Sequence, residues 1–125
     1  MKINTQHVIK SLRPGANFKI NKNGDYSSIV WNDDTQTQPT EEEITTKANE
    51  EMNSLVLQVL RAERDTLLKE SDKYTLSDYP HTSDEMKQKW LTYRQQLRDL
   101  PSQTTNPTMD DYGILANVTW PTLPE

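Results

Sequence analysis

The residues of this chain that could do chemistry are few, and their spacing suits no known reactive site. Histidine occurs at His7 and His81, and neither has a second ligand type at metal-site spacing, so both are expected to be solvent-exposed. Asp33-Asp34 and Asp110-Asp111 lack the ladder of Asp and Asn and the terminal Glu of an EF-hand loop. Helix capping already explains the neighbouring carboxylates of Glu41–Glu43. We therefore expect no catalytic residue, no metal site and no cofactor.

Composition excludes further classes of function. The chain of 125 residues has no cysteine, which excludes disulfides, thiolate ligands and a cysteine nucleophile. Its three glycines form no phosphate-binding motif. No apolar run is long enough to cross a membrane, and the amino-terminal segment lacks the apolar stretch of a secretory signal. We expect a protein that is not an enzyme, has no membrane partner, and stays in the cytoplasm where it is made.

Charge and hydrophobicity favour a protein that depends on a partner. Only 32% of the chain is hydrophobic, so we expect either an open helical fold or a part that a partner orders. The net charge is -5, yet residues 1–31 hold five basic residues against one acidic residue. Such a basic arm is sometimes a nucleic-acid site, although a dense Lys/Arg face is missing. Nucleic acid is therefore not the expected partner.

The amino-terminal segment is predicted to form a short helix followed by a β-hairpin. The helix spans residues 5–13, with Thr5 as its cap, and Pro14-Gly15 ends it. The hairpin has one strand at Phe18–Ile20 and the other at Tyr26–Trp31. Asn23-Gly24 between them is typical of a type I′ turn. Since two strands alone are marginally stable, one face of the hairpin is expected to pack on the helix or on another chain.

Two longer helices are predicted from capping boxes. Thr40–Glu43 begins a helix of about 30 residues, because no Gly or Pro interrupts it before Asp72. Thr82–Glu85 begins a second helix, which Leu100-Pro101 ends near Asp99. Apolar residues lie on one face of each helix: Leu60, Leu67 and Leu68 on the first, and Met86, Trp90, Tyr93 and Leu97 on the second. The loop at 71–81 between them favours an antiparallel helical hairpin.

The fold class is therefore α+β and mostly helical. We expect an amino-terminal helix and β-hairpin module at 1–36, a helical hairpin at 37–101 and an extended, Pro-rich carboxyl-terminal tail at 102–125. Trp120 lies in that tail between residues that cannot build a core around it. Its side chain either docks back on the helical hairpin or anchors a partner, a role that aromatic residues often have.

The carboxyl-terminal half resembles the phage tail assembly chaperone family. The family pattern is matched at Leu60–Leu68, Ser71-Asp72, Leu76–Pro80, Trp90, Tyr93–Gln95, Leu97–Pro101 and Val118–Pro121. The resemblance covers about residues 60–123, and the combined spacing is more specific than any single piece. The segments at 11–20 and 25–31 are similar to the amino-terminal part of many short phage proteins that carry this module.

The resemblance implies a small phage protein that assists the folding, oligomerisation or attachment of a tail fibre or another tail protein. The alternative is a structural subunit of the tail, baseplate or fibre that stays in the virion. Residues expected to meet a partner are Val118, Trp120, Trp90, Tyr93, Arg94 and Arg98. If they serve structure alone, the arginines and aspartates of the motif are instead expected to link the two helices by charge pairs. They are Arg61, Arg64, Arg94 and Arg98 with Asp65, Asp72 and Asp99. Self-association through the apolar stripe of the long helix stays open beside binding to another protein; this stripe consists of Ile44, Met52, Val56, Val59 and Leu60.

Overall fold

The computed structural model describes residues 3–125, so Lys2 of the basic amino-terminal arm lies outside the described residues. The chain divides into two compact units, one up to Ser54 and one from Leu55 to Glu125. The described residues contain three α-helices and two antiparallel strand pairs, which confirms the α+β class. No described helix is both long and apolar enough to span a membrane.

Helix α1 spans Thr5–Leu12 and supplies the centre of the first unit's core. Val8 and Ile9 are fully buried, as their spacing on one helix face predicts. The prediction that Thr5 caps the helix is wrong: Asn4 is the cap, and its side chain accepts a hydrogen bond from the His7 amide at 3.2 Å. Asn is at least as good a cap as Thr, so the helix begins one residue after it. Gly15 has the positive φ expected where Pro14-Gly15 ends the helix.

The first strand pair forms, but its connection differs from the prediction. Strand β1 at Phe18–Lys19 pairs antiparallel with β2 at Val30–Trp31, and the stacked Phe18 and Trp31 rings are 5.8 Å apart. The type I′ turn is wrong, because Asn23 is not among the residues with positive φ. A turn at residues 21–24 and a short 3-10 helix at Tyr26–Ser28 join the strands instead.

The longer connection has a clear physical cause. The Asn21 side chain bonds to Asp25 in both directions, donating to its carboxylate at 2.8 Å and accepting from its amide at 3.1 Å. These bonds fix a wider loop than a two-residue turn. The loop in turn lets Ile20, Tyr26 and Ile29 pack against the core of the first unit. Side-chain burial therefore outweighs the local preference of Asn23-Gly24 for a type I′ turn.

Residues 32–39 form an ordered strap, fixed by side chains that donate to its backbone carbonyl groups. Trp31 donates its indole N–H to the Gln36 carbonyl at 2.9 Å, Tyr26 its hydroxyl to Pro39 at 3.0 Å, and Arg13 its Nε to Thr37 at 2.8 Å. Pro39 is fully buried. The strap leads directly into α2.

Helix α2 spans Glu41–Ser71, close to the predicted length. The Thr40 hydroxyl accepts from the Glu43 amide at 3.1 Å, which confirms the cap. The Glu43 carboxylate accepts from that hydroxyl and from Arg13 at 3.0 Å, in place of the predicted bond to the Thr40 amide. Further along, Ile44 is buried with Val8 and Ile9 and completes the core of the first unit.

Helix α3 spans Asp84–Gln103, longer at its carboxyl end than predicted. Ser83, not Thr82, is its cap and accepts from the Met86 amide at 3.0 Å. The prediction that Leu100-Pro101 ends the helix is wrong, because Pro101 lies inside its last turn. There the proline removes its own N–H, while the Thr104 amide still bonds to the Leu100 carbonyl at 3.0 Å. A short 3-10 helix at Asp72–Thr75 leads from α2 toward α3.

Helices α2 and α3 run antiparallel side by side within the second unit. Arg94 of α3 donates to the Leu68 carbonyl, and Arg64 of α2 donates to the Arg98 carbonyl. Leu68 therefore lies near Arg94, and Arg64 lies near Arg98. Residue numbers fall along α2 as they rise along α3, as in an antiparallel pair. Fully buried Leu60 and Leu97 supply apolar packing in this unit, whereas Leu67 and Leu68 are half-buried.

The tail contains a second strand pair that the sequence did not predict. Strand β3 at Thr108–Met109 pairs antiparallel with β4 at Leu115–Ala116. Residues 110–114 join them: the Gly113 amide donates to the Asp110 carbonyl at 3.0 Å to close a turn, and Gly113 has a φ of 78°. This loop is the common type I turn followed by a left-handed glycine. The expectation of a wholly extended tail is therefore wrong for residues 108–116, while residues 117–125 form neither helix nor strand.

Candidate partner-binding surface

An aromatic cluster covers the turn that joins α2 to α3. Trp90 stacks on Tyr74 with ring centroids 3.7 Å apart and meets Tyr93 edge-on at 5.6 Å. Tyr79 packs edge-on against Tyr74 at 4.9 Å, and the His81 ring lies 4.6 Å from Tyr79. The predicted position of Trp90 on the inner helix face is thus realised by a half-buried stack. Tyr74 and Tyr79 were visible in the sequence only as loop residues.

His81 is half-buried in this cluster, so the expectation of a solvent-exposed side chain is wrong. Its Nε2 lies 2.9 Å from the Tyr74 carbonyl oxygen. A carbonyl only accepts, so Nε2 is the donor in this contact. Nδ1 is buried and has no hydrogen-bond partner among residues 3–125. The histidine therefore links the two ends of the loop at 74–81, whereas the His7 side chain is 67% exposed, as expected.

Arg94 fastens the carboxyl-terminal end of α2. It donates to the Leu68 carbonyl at 2.6 Å, to the Ser71 hydroxyl at 2.7 Å and to the Asp72 carboxylate at 2.8 Å. Its side chain is only 12% exposed. A cation at this place satisfies carbonyl groups that the helix leaves unpaired and suits the negative end of the helix dipole. The structure thus places this predicted partner-binding residue inside the fold.

The other motif arginines act differently from one another. Arg64 bonds to Asp65 at 2.7 Å and crosses to the Arg98 carbonyl at 3.3 Å. The Arg98 side chain is exposed and bonds to Gln95 of its own helix at 2.9 Å. The predicted linking of the helices by charge pairs therefore holds for Arg94 with Asp72, while Arg64 links them through a backbone carbonyl.

Trp120 lies between two open cavities on the second unit. It lines one of about 360 Å³ together with Glu63, Thr66 and Leu67 of α2. The other, of about 570 Å³, is lined by the end of α3 and residues that follow it, among them Leu100, Thr104, Asn117, Trp120 and Thr122. Trp120 and Val118 are both half-buried. The indole therefore lies back on the helical hairpin and still borders open space on both sides.

The last residues of the chain lie along α3. Thr122–Glu125 face Glu85, Lys89, Thr92 and Tyr93 across a groove of about 620 Å³. The Lys89 ammonium donates to the Glu125 carbonyl at 3.4 Å. Leu123 is mostly exposed beside this groove. Trp120 and Tyr93 thus border neighbouring grooves that share Gln96 and Thr122, whereas Trp90 and Arg94 lie toward the turn between α2 and α3.

The structure also exposes two apolar side chains that sequence reasoning missed. Tyr112 and Ile114 stand at the tip of the β3–β4 hairpin, 89% and 62% exposed. The signal that could have found them is Asp110-Asp111-Tyr112-Gly113, an Asp at the first position of a turn and a Gly at the last. Asp110 serves this turn: its Oδ1 accepts from the Tyr112 and Ile114 amides, each at 2.9 Å.

These surfaces suit a polypeptide partner. They combine half-buried aromatic rings, exposed apolar side chains and open grooves bordered by Thr, Gln and Asn. Amide and hydroxyl groups can pair with main-chain groups, and aromatic rings serve as anchors. Nowhere in residues 3–125 do three His, Asp or Glu side chains come together as a metal site would need. The second unit is a helical-hairpin module whose tail carries a small β-hairpin.

Comparison with known proteins gives this module its family. The family model described as phage tail assembly chaperone protein matches residues 57–125, more than half of the chain. The chain belongs to the phage tail assembly chaperone family, and its part in phage tail assembly follows from that membership. Neither a curated protein nor a solved structure gives a significant match.

Proposed function

We propose that the protein is a chaperone or adaptor that binds a tail fibre or another tail protein in the host cytoplasm. There it assists the partner's folding, oligomerisation or attachment. The observation that carries the proposal is the agreement between the family match at 57–125 and the compact unit from Leu55 to Glu125. Because the two ranges nearly coincide, the whole second unit is the part expected to bind.

Within that unit, the partner is proposed to lie over Trp120 and its two cavities. A Trp that already borders open space can bury more apolar surface without a large rearrangement. Val118 and the exposed side chain of Arg98 are proposed as further contacts. Trp90, Tyr93 and Arg94 support the site from inside, since their rings and hydrogen bonds hold α3 against the end of α2.

Co-expression with the tail proteins of the same phage tests this proposal. The tagged full chain should co-elute with one of them in size-exclusion chromatography. Trp120→Ala should weaken the complex about tenfold or more, as truncation of a central aromatic anchor does. Leu91→Ala is the matched control, because Leu91 is exposed on α3 and lines none of these cavities.

The variants must remain folded for this comparison. Circular dichroism and the melting temperature of Trp120→Phe, which keeps a ring in place, separate lost binding from lost folding. A chain that co-elutes with none of the tail proteins would contradict the proposal. Stoichiometric copies in purified virions, measured by mass spectrometry, would instead favour the structural subunit.

A further inference from the structure

The tip of the β3–β4 hairpin presents apolar side chains that are largely exposed. Tyr112 is 89% exposed and Ile114 is 62% exposed, although they are large side chains two residues apart. On the strands themselves, Met109 and Leu115 lie opposite each other and are half-buried. The hairpin therefore has one half-buried apolar pair, Met109 and Leu115, and one exposed pair at its tip, Tyr112 and Ile114.

The turn that carries the tip is closely hydrogen-bonded. The Asp110 amide donates to the Ile114 carbonyl, and the Gly113 amide donates to the Asp110 carbonyl, both at 3.0 Å. The Asp110 carboxylate accepts from the Tyr112 and Ile114 amides as well. A loop fixed in this way loses little conformational freedom when it binds, which favours affinity.

The base of the hairpin is fixed too. Asn117 donates its side-chain amide to the carbonyls of Thr105 and Asn106, at 3.2 and 2.8 Å. Asn106 and Asn117 both have left-handed backbones, with φ of 50° and 62°, a conformation that Asn tolerates better than most residues. The strand pair is thus closed at both ends, and the direction of its tip is set by side-chain bonds.

The charge around the tip indicates what kind of surface would cover it. Asp110 and Asp111 precede Tyr112 at the tip, and no Lys or Arg occurs between Asp99 and Glu125. An apolar pocket with an acidic rim would repel this segment, whereas a pocket with a basic rim would attract it. The occupant that suits the tip is therefore apolar at its centre and basic at its edge.

We propose that the hairpin tip is the specificity-determining contact with the tail protein, where Tyr112 and Ile114 enter an apolar pocket rimmed by Lys or Arg. This inference rests on the proposed function, since it takes the partner to be a tail protein. It assigns recognition of the partner to the hairpin tip. The two cavities that Trp120 lines add further contact area. The two exposed side chains are the anchors, and the acidic segment guides them to the basic rim.

Binding of purified full chain to the co-eluting tail protein, measured by titration calorimetry, tests the inference. Tyr112→Ala and Ile114→Ala should each raise the Kd about tenfold or more, with an unchanged circular dichroism spectrum. Thr108→Ala, an exposed change on the same hairpin, should leave the Kd unchanged. Asp110→Asn keeps an oxygen for the turn but removes a charge, so its Kd should rise at low salt and approach wild type as salt increases.

Each failure has its own signature. Wild-type Kd values for both tip variants, with Trp120→Ala still weakened, would overturn the tip and leave the proposed function standing. A wild-type chain that binds none of the tail proteins would overturn the proposed function, and this inference with it. Unchanged Kd for Asp110→Asn at every salt concentration would contradict the basic rim.

Discussion

At the residue scale, side chains hold this fold together largely by bonding to backbone carbonyl groups. Arg94 reaches the Leu68 carbonyl, Arg64 reaches that of Arg98, and Arg13 reaches that of Thr37. The sequence predicted charge pairs because it shows which residues are acidic and basic. It does not show which carbonyl a folded helix or strap leaves open, so these partners could not be predicted from residue types.

Replacing Arg94 should therefore be costly. Arg94→Met removes the guanidinium bonds to the Leu68 carbonyl, the largely buried Ser71 hydroxyl and the Asp72 carboxylate, which should lower the free energy of unfolding by about 1–3 kcal/mol. Arg98→Met is the control, since its guanidinium bonds only within α3 at the surface, and a change within about 0.5 kcal/mol is expected. If urea titrations gave the same loss in free energy of unfolding for both variants, the role given to Arg94 would be contradicted.

The glycines with positive φ permit a matched comparison. Gly24 and Gly15 have φ of 74° and 77°, so alanine at either should cost about 1 kcal/mol in strain. At Gly24 the new Cβ would also meet the Thr5 hydroxyl oxygen at 2.8 Å, while at Gly15 it meets nothing within 4 Å. Gly24→Ala should therefore lower the melting temperature more than Gly15→Ala. The reverse order would show that the loop at 21–25 adjusts freely.

Asp33 makes the stability of the first unit depend on pH. Hydrogen bonds from the amides of Asn17, Gln36 and Thr35 lower the pKa of its carboxyl from 3.8 to about 2. A carboxyl with a depressed folded-state pKa stabilises the fold above pH about 4, and this contribution is lost as pH falls toward 2. Asp33→Asn should be less stable than wild type at neutral pH and lose less stability on acidification. Asp34→Asn, next to it, should follow the wild-type curve in urea titrations across this range.

At the element scale, the sequence predicted helices well and turns poorly. Thr40 caps α2 where predicted, because a capping box is a local pattern that folding rarely overrides. Asn23-Gly24 carries an equally strong local signal, yet Asn21, Tyr26 and Ile29 determine the loop through contacts made only in the folded unit. The β3–β4 hairpin was missed because its strands have two residues each, too short for an alternating pattern.

The contribution of the aromatic cluster to the stability of the turn between α2 and α3 can be tested by substitution. Trp90→Ala removes the stack on Tyr74 and the edge contact with Tyr93, which should cost about 2–3 kcal/mol. This is below the loss typical of a fully buried Trp, because Trp90 is half-buried. Trp90→Phe should recover part of the difference by keeping a ring on Tyr74. An unchanged melting temperature for Trp90→Ala would contradict the cluster's role.

At the scale of the whole molecule, the family match and the second unit cover nearly the same residues. The family match begins at residue 57 and the second unit at Leu55, within α2. The family could be predicted from the sequence because its motif spacing is visible there. The surfaces could not, since the exposure of Tyr112 and the position of Trp120 depend on how the tail folds. The division at residues 36 and 101 stays a prediction, as does self-association, which sedimentation of the isolated chain would measure.

The central claim is that this protein assists assembly of the phage tail. Its most direct test is the fraction of complete tails, counted by electron microscopy, from a phage whose gene for this chain is deleted. Without the gene, that fraction should fall sharply, and wild-type protein supplied in the host should restore it. Complete tails at the wild-type fraction without the protein would contradict the account.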